Sequence, residues 1–156
     1  IKKIAIIDFD VHHGNGTQEI FYKDKNVFYG SIHEYPLFPG TGLEKEVGIG
    51  NIVNAPIMAG TNGKDFLKIF EDRILNNIDK FQPEIILISA GFDAHERDPL
   101  ANINLESKHF FNLTKKIVEI ANIHSKGRII SFLEGGYDLV ALSESIKEHL
   151  IGLKEN

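Results

Sequence analysis

Two short stretches of this chain are apolar at every position, and they limit the folds that it can adopt. Ile4–Ile7 and Ile85–Ile88 contain only Ala, Ile and Leu. Such runs are typical of strands in a parallel sheet that is covered on both faces. Between and after them, residues 65–81 and 106–123 carry apolar side chains at helical spacing. The sequence therefore predicts an α/β fold, a mostly parallel sheet with helices on both faces, in one domain over residues 1–156.

The other elements follow from the same periodicities and from the positions of Gly and Pro. Strands are predicted at 3–9, 27–33, 51–56, 84–89 and 128–133, and helices at 17–23, 65–81, 106–123 and 139–153. Asn15 or Thr17 is the expected cap of the first helix. Residues 34–50 contain Pro36, Pro39 and four Gly, which predicts a long loop. A functional loop and an ordinary packed surface loop both fit that composition.

The first strand ends in polar side chains that a protein core would not tolerate without a partner. Asp8, Asp10 and His12 alternate along the chain, so their side chains point to one side of the strand end. Burying two carboxylates and an imidazole without a counter-charge is costly. Oxygen and nitrogen ligands of this kind suit zinc or another borderline divalent cation. A polar strand end with a hydrogen-bonded His is the alternative, but the number of ligands in so short a segment favours a metal site.

Two later predicted strands also end in polar side chains. Sites in parallel α/β sheets lie beyond the carboxyl ends of the strands, so these side chains are expected at the same edge as those of the first strand. Gly91-Phe92-Asp93 follows the fourth predicted strand, and Glu134-Gly135-Gly136-Tyr137 follows the fifth. Taken singly, the Asp fits a helix cap and the Tyr fits a packed turn residue. Their joint occurrence at one edge favours a shared site.

Combined, Asp10, His12 and Asp93 supply three ligands and leave one position open, which is the pattern of a catalytic rather than a structural zinc site. Tyr137 then fits as a hydrogen-bond donor to a developing oxyanion. Asp8 is expected just behind the ligands, where it would orient a histidine or help to hold a monovalent cation.

Composition narrows the classes of partner. The formal net charge is −5 and the basic residues are not clustered, so neither nucleic acid nor an anionic membrane is expected as a partner. No apolar run is long enough to span a bilayer, and no signal peptide is visible. The chain has no Cys, so a metal must be held by His, Asp or Glu, and a cytoplasmic location is expected.

The segments that carry these residues resemble a known family. Asp8–Gln18 resembles the metal-binding motif of histone deacetylases and of bacterial deacetylase-like amidohydrolases, and its ending Asn15-Gly16-Thr17-Gln18 is closer to the class II branch. Four further segments match in the family's order: Phe38–Gly42, Ser89–Ala94, Asp98–Leu100 and Leu133–Tyr137. The resemblance spans nearly the whole chain.

The resemblance implies an arginase/deacetylase fold, one zinc ion, and hydrolysis of the acetyl amide of acetyl-lysine or a related acylated amine. It implies Asp10, His12 and Asp93 as zinc ligands and Tyr137 as the residue that stabilises the transition state. The resemblance also implies a catalytic or site-lining role for His13 and a substrate pocket formed by Phe38, Gly91, Leu100 and Gly135. It implies a potassium site formed by Asp8, Ser31 and Ile32 with the Asp10 and His12 carbonyls. It further implies an outer cation site formed by carbonyls near Phe21, Asp24, Val27 and Asn51.

One feature departs from the family pattern. Family members carry an upstream His-His pair that supplies the general base, whereas the one adjacent pair here is His12-His13 of the metal motif. The chain also begins at Ile1, inside a predicted strand. We therefore expect the C-terminal portion of a catalytic domain whose N-terminal part is missing. Such a chain would be inactive alone, with its first strand uncovered and a tendency to form homo-oligomers.

Two other functions stay open on sequence grounds. An arginase-like ureohydrolase would share the fold but would need two manganese ions and additional Asp ligands, and it would leave Tyr137 without a role. A non-enzymatic module that recognises an acyl group or a partner protein would fit the missing His pair. Protein acetyl-lysine, acetylated polyamines and other acylated amines all remain candidate substrates.

Overall fold

Five parallel strands form one sheet in the computed structural model, which describes residues 1–154. The strands are β1 (Ile4–Asp8), β2 (Val27–Glu34), β3 (Ile52–Ile57), β4 (Ile85–Ala90) and β5 (Ile129–Leu133). Their spatial order is β3-β2-β1-β4-β5, and every neighbouring pair is parallel. The predicted α/β class is thereby confirmed.

The helices begin and end within two residues of the predicted positions. They are α1 (Asn15–Phe21), α2 (Gly63–Ile69), α3 (Asn76–Phe81), α4 (Ser107–His124) and α5 (Leu139–Lys154). A π-helical segment, Phe70–Leu75, joins α2 to α3. The predicted cap of α1 is wrong, because Gly14 precedes the helix without a side-chain cap, and Asn15 and Thr17 both lie inside it.

Helices cover both faces of the sheet, but unevenly. On one face, Ala5 and Ile7 of β1 pack with Phe70 of the π-helical segment and Phe110 of α4 in the main core. On the other face, a smaller cluster around Ile6 packs against the end of α1. The expectation of an uncovered first strand is wrong, because β1 lies in the middle of the sheet and Ala5 and Ile7 are fully buried.

The exposed apolar surface lies instead along β5, at the edge of the sheet. Ile130, Phe132 and Leu133 are each about half exposed, and Leu139 and Val140 at the start of α5 are exposed as well. No helix formed by residues 1–154 is long and apolar enough to cross a membrane.

The strand order creates a switch point between β1 and β4. From β1 the chain moves outward through β2 and β3, and it then returns to add β4 on the opposite side of β1. At such a point the two connections leave in opposite directions and open a crevice at the carboxyl ends of the strands. In register, Asp8 lies level with Ser31 of β2 and Ser89 of β4, so the polar residues that follow β1 and β4 face the same crevice.

Candidate active site

The three predicted metal ligands meet in this crevice. Asp10 and His12 follow β1, Asp93 follows β4, and their ligand atoms all lie within 4.8 Å of one another. His12 Nδ1 lies 3.0 Å from Asp10 Oδ1 and 3.1 Å from Asp93 Oδ2. Asp93 is completely buried, whereas Asp10 and His12 are partly exposed toward the crevice. The site is therefore open on one side only.

Main-chain amides fix the orientation of both carboxylates. Asp10 Oδ2 accepts a hydrogen bond from the Gly135 amide at 2.8 Å, and Asp93 Oδ1 accepts one from the Val11 amide at 2.9 Å. Each bond uses one oxygen and leaves the other directed at His12. Segments after β1, β4 and β5 are thus tied together by the ligands themselves.

The electrostatics of the three ligands fit a bound cation. Hydrogen bonds to Asp10 and Asp93 raise the pKa of His12 to about 10. Burial raises the pKa of Asp93, and the neighbouring charge of Asp10 raises it further. His12 Nδ1 contacts both carboxylates directly, and the three groups would hold a divalent cation between them. The ligand set Asp, Asp and His suits zinc, and it leaves room for a further ligand.

Two glycines make room for the carboxylates. A Cβ at Gly135 would collide with the carboxylates of Asp93 and Asp10, and a Cβ at Gly91 would collide with Asp10. The sequence assigned both glycines to the substrate pocket. The structure places Gly135 on the cavity wall, whereas Gly91 is buried against Asp10.

Asp8 lies behind the three candidate metal ligands, without a counter-charge among the residues that the structure describes. It accepts hydrogen bonds from the Tyr29 hydroxyl at 2.8 Å and from the Asp10 amide at 3.2 Å. Burial nevertheless raises the pKa of Asp8 to about 8. A carboxylate in this situation is stabilised by a cation beside it.

Ser31 supplies a suitable oxygen next to Asp8 in register. The His33 Nε2–H donates to the Gly42 carbonyl, so His33 Nδ1 accepts the Ser31 hydroxyl proton at 2.9 Å. Burial lowers the pKa of His33 to about 4, which keeps it neutral. Asp8 and Ser31 are register partners on neighbouring strands, and their side-chain oxygens fit a monovalent cation beside Asp8.

Tyr137 stands at the rim of the site with its main chain held in place. Its amide donates to Asp98 Oδ2 at 2.8 Å, and Asp98 Oδ1 accepts from the Leu100 amide at 2.9 Å. Partial burial and the charges of Asp93 and Asp10 raise the pKa of Tyr137. The phenol therefore keeps its proton at neutral pH and can donate a hydrogen bond into the site.

His13 is placed differently from the metal ligands. Asn54 Nδ2 donates to Gln18 Oε1, so this oxygen is an acceptor and His13 Nε2 must donate to it at 2.9 Å. His13 Nδ1 then accepts from the Thr41 hydroxyl at 2.7 Å. Burial lowers the pKa of His13. The ring is neutral, and both of its nitrogens are engaged in hydrogen bonds.

A cavity of about 570 Å³ opens over these groups. Phe38 and Tyr137 form exposed parts of its wall, with 79% and 51% of their surface accessible. Leu100, which is 54% exposed, lies outside the lining formed by the described residues. The lining consists of Asp8, Asp10, His12, His13, Gly14, Thr17, Phe38, Ser89, Leu133, Glu134, Gly135 and Tyr137.

The predicted outer cation site has a different occupant. The carbonyls of Phe21, Asp24 and Val27 converge as expected, but all three accept hydrogen bonds from the Asn51 side-chain amide. The Asn51 carbonyl accepts a hydrogen bond from the Tyr29 amide. These residues do not fit a cation at that position.

A comparison with known families shows which family the chain belongs to. The histone deacetylase domain model matches residues 1–153. The chain belongs to the histone deacetylase family. Histone deacetylase 14, chloroplastic, from Arabidopsis thaliana is 42% identical over 152 residues, which cover 95% of this chain and 36% of that protein.

Solved structures of the family agree in fold. The HDA15 HD domain superposes with a TM-score of 0.92 at 37% identity, covering 99% of this chain and 45% of its own. Acetylpolyamine aminohydrolase from Burkholderia pseudomallei gives a TM-score of 0.89 at 30% identity, again covering 99% and 45%. The chain spans less than half of the length of each of these histone deacetylase relatives.

Proposed function

We propose that this chain carries the metal centre of a zinc-dependent deacetylase that hydrolyses an acetylated amine to acetate and the free amine. The observation that supports this most is the convergence of Asp10, His12 and Asp93 within 4.8 Å, at the base of a cavity whose rim carries Tyr137. The family match supports a deacetylase rather than a ureohydrolase. Within residues 1–154, moreover, the ligand cluster has three members, fewer than two manganese ions would need.

The three ligands would hold zinc. When bound, zinc supplies Lewis acidity toward the amide carbonyl and makes water a stronger nucleophile. Asp8 and Ser31, with Ile32, would hold a potassium ion behind the ligands, where it would offset the buried charge of Asp8.

The protein groups have separate parts in the proposed reaction. The Tyr137 phenol would donate a hydrogen bond to the carbonyl oxygen as negative charge develops on it, an interaction that is stronger in the transition state than in the substrate. Asp98 would aim Tyr137 by holding its amide. Phe38 would flank the acylated chain of the substrate, and Leu100 would contact it further out.

His13 has both ring nitrogens hydrogen-bonded to Thr41 and Gln18. We therefore assign it to support of the cavity wall, since proton transfer would require one of these bonds to break. No other adjacent His pair occurs in the 156 residues. General-base catalysis is worth about 10²–10⁴-fold in rate, and the chain alone is proposed to be inactive for lack of the base.

Candidate substrates are acetyl-lysine in proteins and acetylated small amines. The first is supported by relatives named histone deacetylases, and the second by the structural relative named acetylpolyamine aminohydrolase. A cytoplasmic location is proposed from the absence of Cys, and cell fractionation would test it.

The decisive experiment measures acetate release from an acetyl-lysine peptide and from acetylputrescine, with and without zinc. This chain is assayed beside a version extended by the coding sequence that precedes residue 1. Tyr137→Phe in the active version should reduce kcat by at least about 10²-fold, whereas Tyr22→Phe, away from the site, should not.

Activity only in the extended version would support both the reaction and the need for a further base. Equal activity in the short chain would overturn the proposed base requirement. Zinc binding without acetate release in either version would favour the acyl-binding module over the enzyme.

A further inference from the structure

Three main-chain carbonyls converge on a single side-chain atom at the end of α1. The Asn51 Nδ2 atom lies 2.8 Å from the Phe21 oxygen, 3.1 Å from the Asp24 oxygen and 2.9 Å from the Val27 oxygen. These carbonyls come from the end of α1, the following turn and the first residue of β2. Asn51 itself precedes β3 and is only 5% exposed. One amide nitrogen therefore joins four segments of the chain.

Converging carbonyl oxygens repel one another unless a positive group lies between them. Proteins meet this need either with a desolvated monovalent cation, which rings of carbonyls coordinate, or with N–H donors. An amide nitrogen carries two protons, so here one proton is shared between two of the three carbonyls. The Phe21 and Asp24 carbonyls also accept main-chain hydrogen bonds from the Asp24 and Val27 amides, so the Asn51 nitrogen is a second partner for each of them.

The rest of Asn51 is arranged to aim its nitrogen at the carbonyls. Its side-chain oxygen accepts from the Ile49 amide at 3.2 Å, and its main-chain oxygen accepts from the Tyr29 amide at 3.0 Å. The amide orientation is thus determined, because a flipped amide would place oxygen against three oxygens.

Gly48 makes room for this arrangement. It has a φ of +59°, and a Cβ there would lie 2.6 Å from both Asn51 Oδ1 and the Tyr22 carbonyl. The loop that precedes β3 is therefore shaped around the Asn51 side chain.

We propose that the Asn51 carboxamide is a built-in replacement for a monovalent cation at this position. The junction of α1, β2 and β3 then folds without potassium, and the position is closed to the ion in the native chain. The proposal concerns the fold of this junction and does not depend on the deacetylase reaction or on the potassium site proposed beside Asp8.

Asn51→Asp tests this with a side chain of the same size. At neutral pH it places a carboxylate oxygen against the three carbonyls, which is repulsive without a cation and forms a four-oxygen site with one. The measurement is the midpoint of thermal unfolding as KCl replaces choline chloride at constant ionic strength. Asn51→Asp should unfold about 4 °C or more below wild type in choline chloride, and KCl should recover most of that difference.

Asn104→Asp is the matched control, since it adds the same charge at an exposed asparagine. The unfolding midpoint of Asn104→Asp should respond to potassium as that of wild type does. Any potassium response of the site beside Asp8 is common to wild type, Asn51→Asp and Asn104→Asp, so it cancels when their midpoints are compared. Asn51→Ala, which removes the side-chain donor without adding charge, should show a weaker potassium-dependent recovery.

Two results would overturn the proposal. One is an equal potassium response in Asn51→Asp, Asn51→Ala and wild type. The other is anomalous density for rubidium among the three carbonyls in wild-type crystals grown in RbCl. If Asn51→Asp does not fold in either salt, Asn51→Ala and the wild-type crystals decide the question.

Discussion

Gly135 illustrates at the scale of single residues how little space the proposed metal centre leaves. Its Cβ would collide with the carboxylates of both Asp93 and Asp10. We expect Gly135→Ala to fold but to lose about 10–100-fold in zinc affinity, because displaced ligands bind a metal poorly. Competition with a chromogenic chelator measures this. Gly16→Ala is the control, since a Cβ there meets nothing within 4 Å, and an unchanged affinity in Gly135→Ala would contradict the arrangement.

The proton on His12 gives a second expectation at this scale. Its pKa is raised to about 10 by Asp10 and Asp93, so the imidazole is charged at neutral pH and must lose a proton to bind a metal. Binding should release about one proton per zinc, and zinc affinity should rise about tenfold per pH unit below pH 10. Titration calorimetry in buffers of different ionisation enthalpy measures the proton release. His124→Gln, at the far end of α4, should leave the proton release unchanged, and release of no proton would contradict a charged His12 in the metal-free chain.

The sequence pointed to the residues that are proposed to act directly, but not to those that hold them in place. Asp10, His12, Asp93 and Tyr137 stand out because charged or polar groups at strand ends violate the pattern of a core. The Tyr137 amide donates to Asp98, 39 positions away, and Thr41 hydrogen-bonds to His13 from 28 positions away. Periodicity carries no such information. A buried phenol in a strand does require a partner, so Tyr29 could have been linked to Asp8.

At the scale of elements, the helix over residues 63–81 shows what spacing alone predicts. Its buried residues Phe66, Phe70, Ile74 and Ile78 recur every four positions. At about 100° per residue, each such step drifts by about 40° around an α-helix, so the row would leave the core. A wider turn with i→i+5 bonds corrects the drift, and the structure has one at Phe70–Leu75. The apolar pattern predicted the helix, and the strict four-residue interval of its buried side chains also indicates the π-helical segment.

His149 joins three elements and should make stability depend on pH. On α5, it hydrogen-bonds to Thr114 of α4 at 2.7 Å and to Ser131 of β5 at 2.9 Å, and burial lowers its pKa to about 4. The unfolded chain takes up this proton near pH 6.5, whereas the folded chain resists it down to about pH 4. The free energy of unfolding should therefore fall as pH decreases from 6.5 to 4, by about 3 kcal/mol from this group.

Urea denaturation across that pH range measures the effect. His149→Gln should flatten the pH dependence relative to wild type, while the titration of His33 continues in both proteins. Ser131→Ala keeps the titrating group, so it should lower stability without removing the slope. An identical slope in His149→Gln and wild type would contradict the assignment.

At the scale of the whole molecule, the class of fold was predictable but the order of its strands was not. Fully apolar runs that alternate with amphipathic helices indicate a parallel sheet, and its carboxyl edge then indicates the site. The position of β1 in the middle of the sheet depends on which strands pair, and no local pattern encodes that. For this reason the first strand was predicted to be uncovered, whereas in the structure the exposed edge strand is β5.

The edge at β5 predicts how this chain behaves alone. An unpaired parallel edge strand offers free N–H and C=O groups, and Ile130, Phe132 and Leu133 add apolar surface beside Leu139 and Val140. Both features favour association between chains.

We expect concentration-dependent self-association in sedimentation equilibrium, and Phe132→Lys should weaken it about tenfold or more by placing a charge on that surface. Ile20→Lys makes the same change at a residue that is 74% exposed on α1, and it should have no effect. If both variants weakened association equally, general charge repulsion would be the cause. A strictly monomeric wild type would contradict the prediction that the exposed β5 surface drives association.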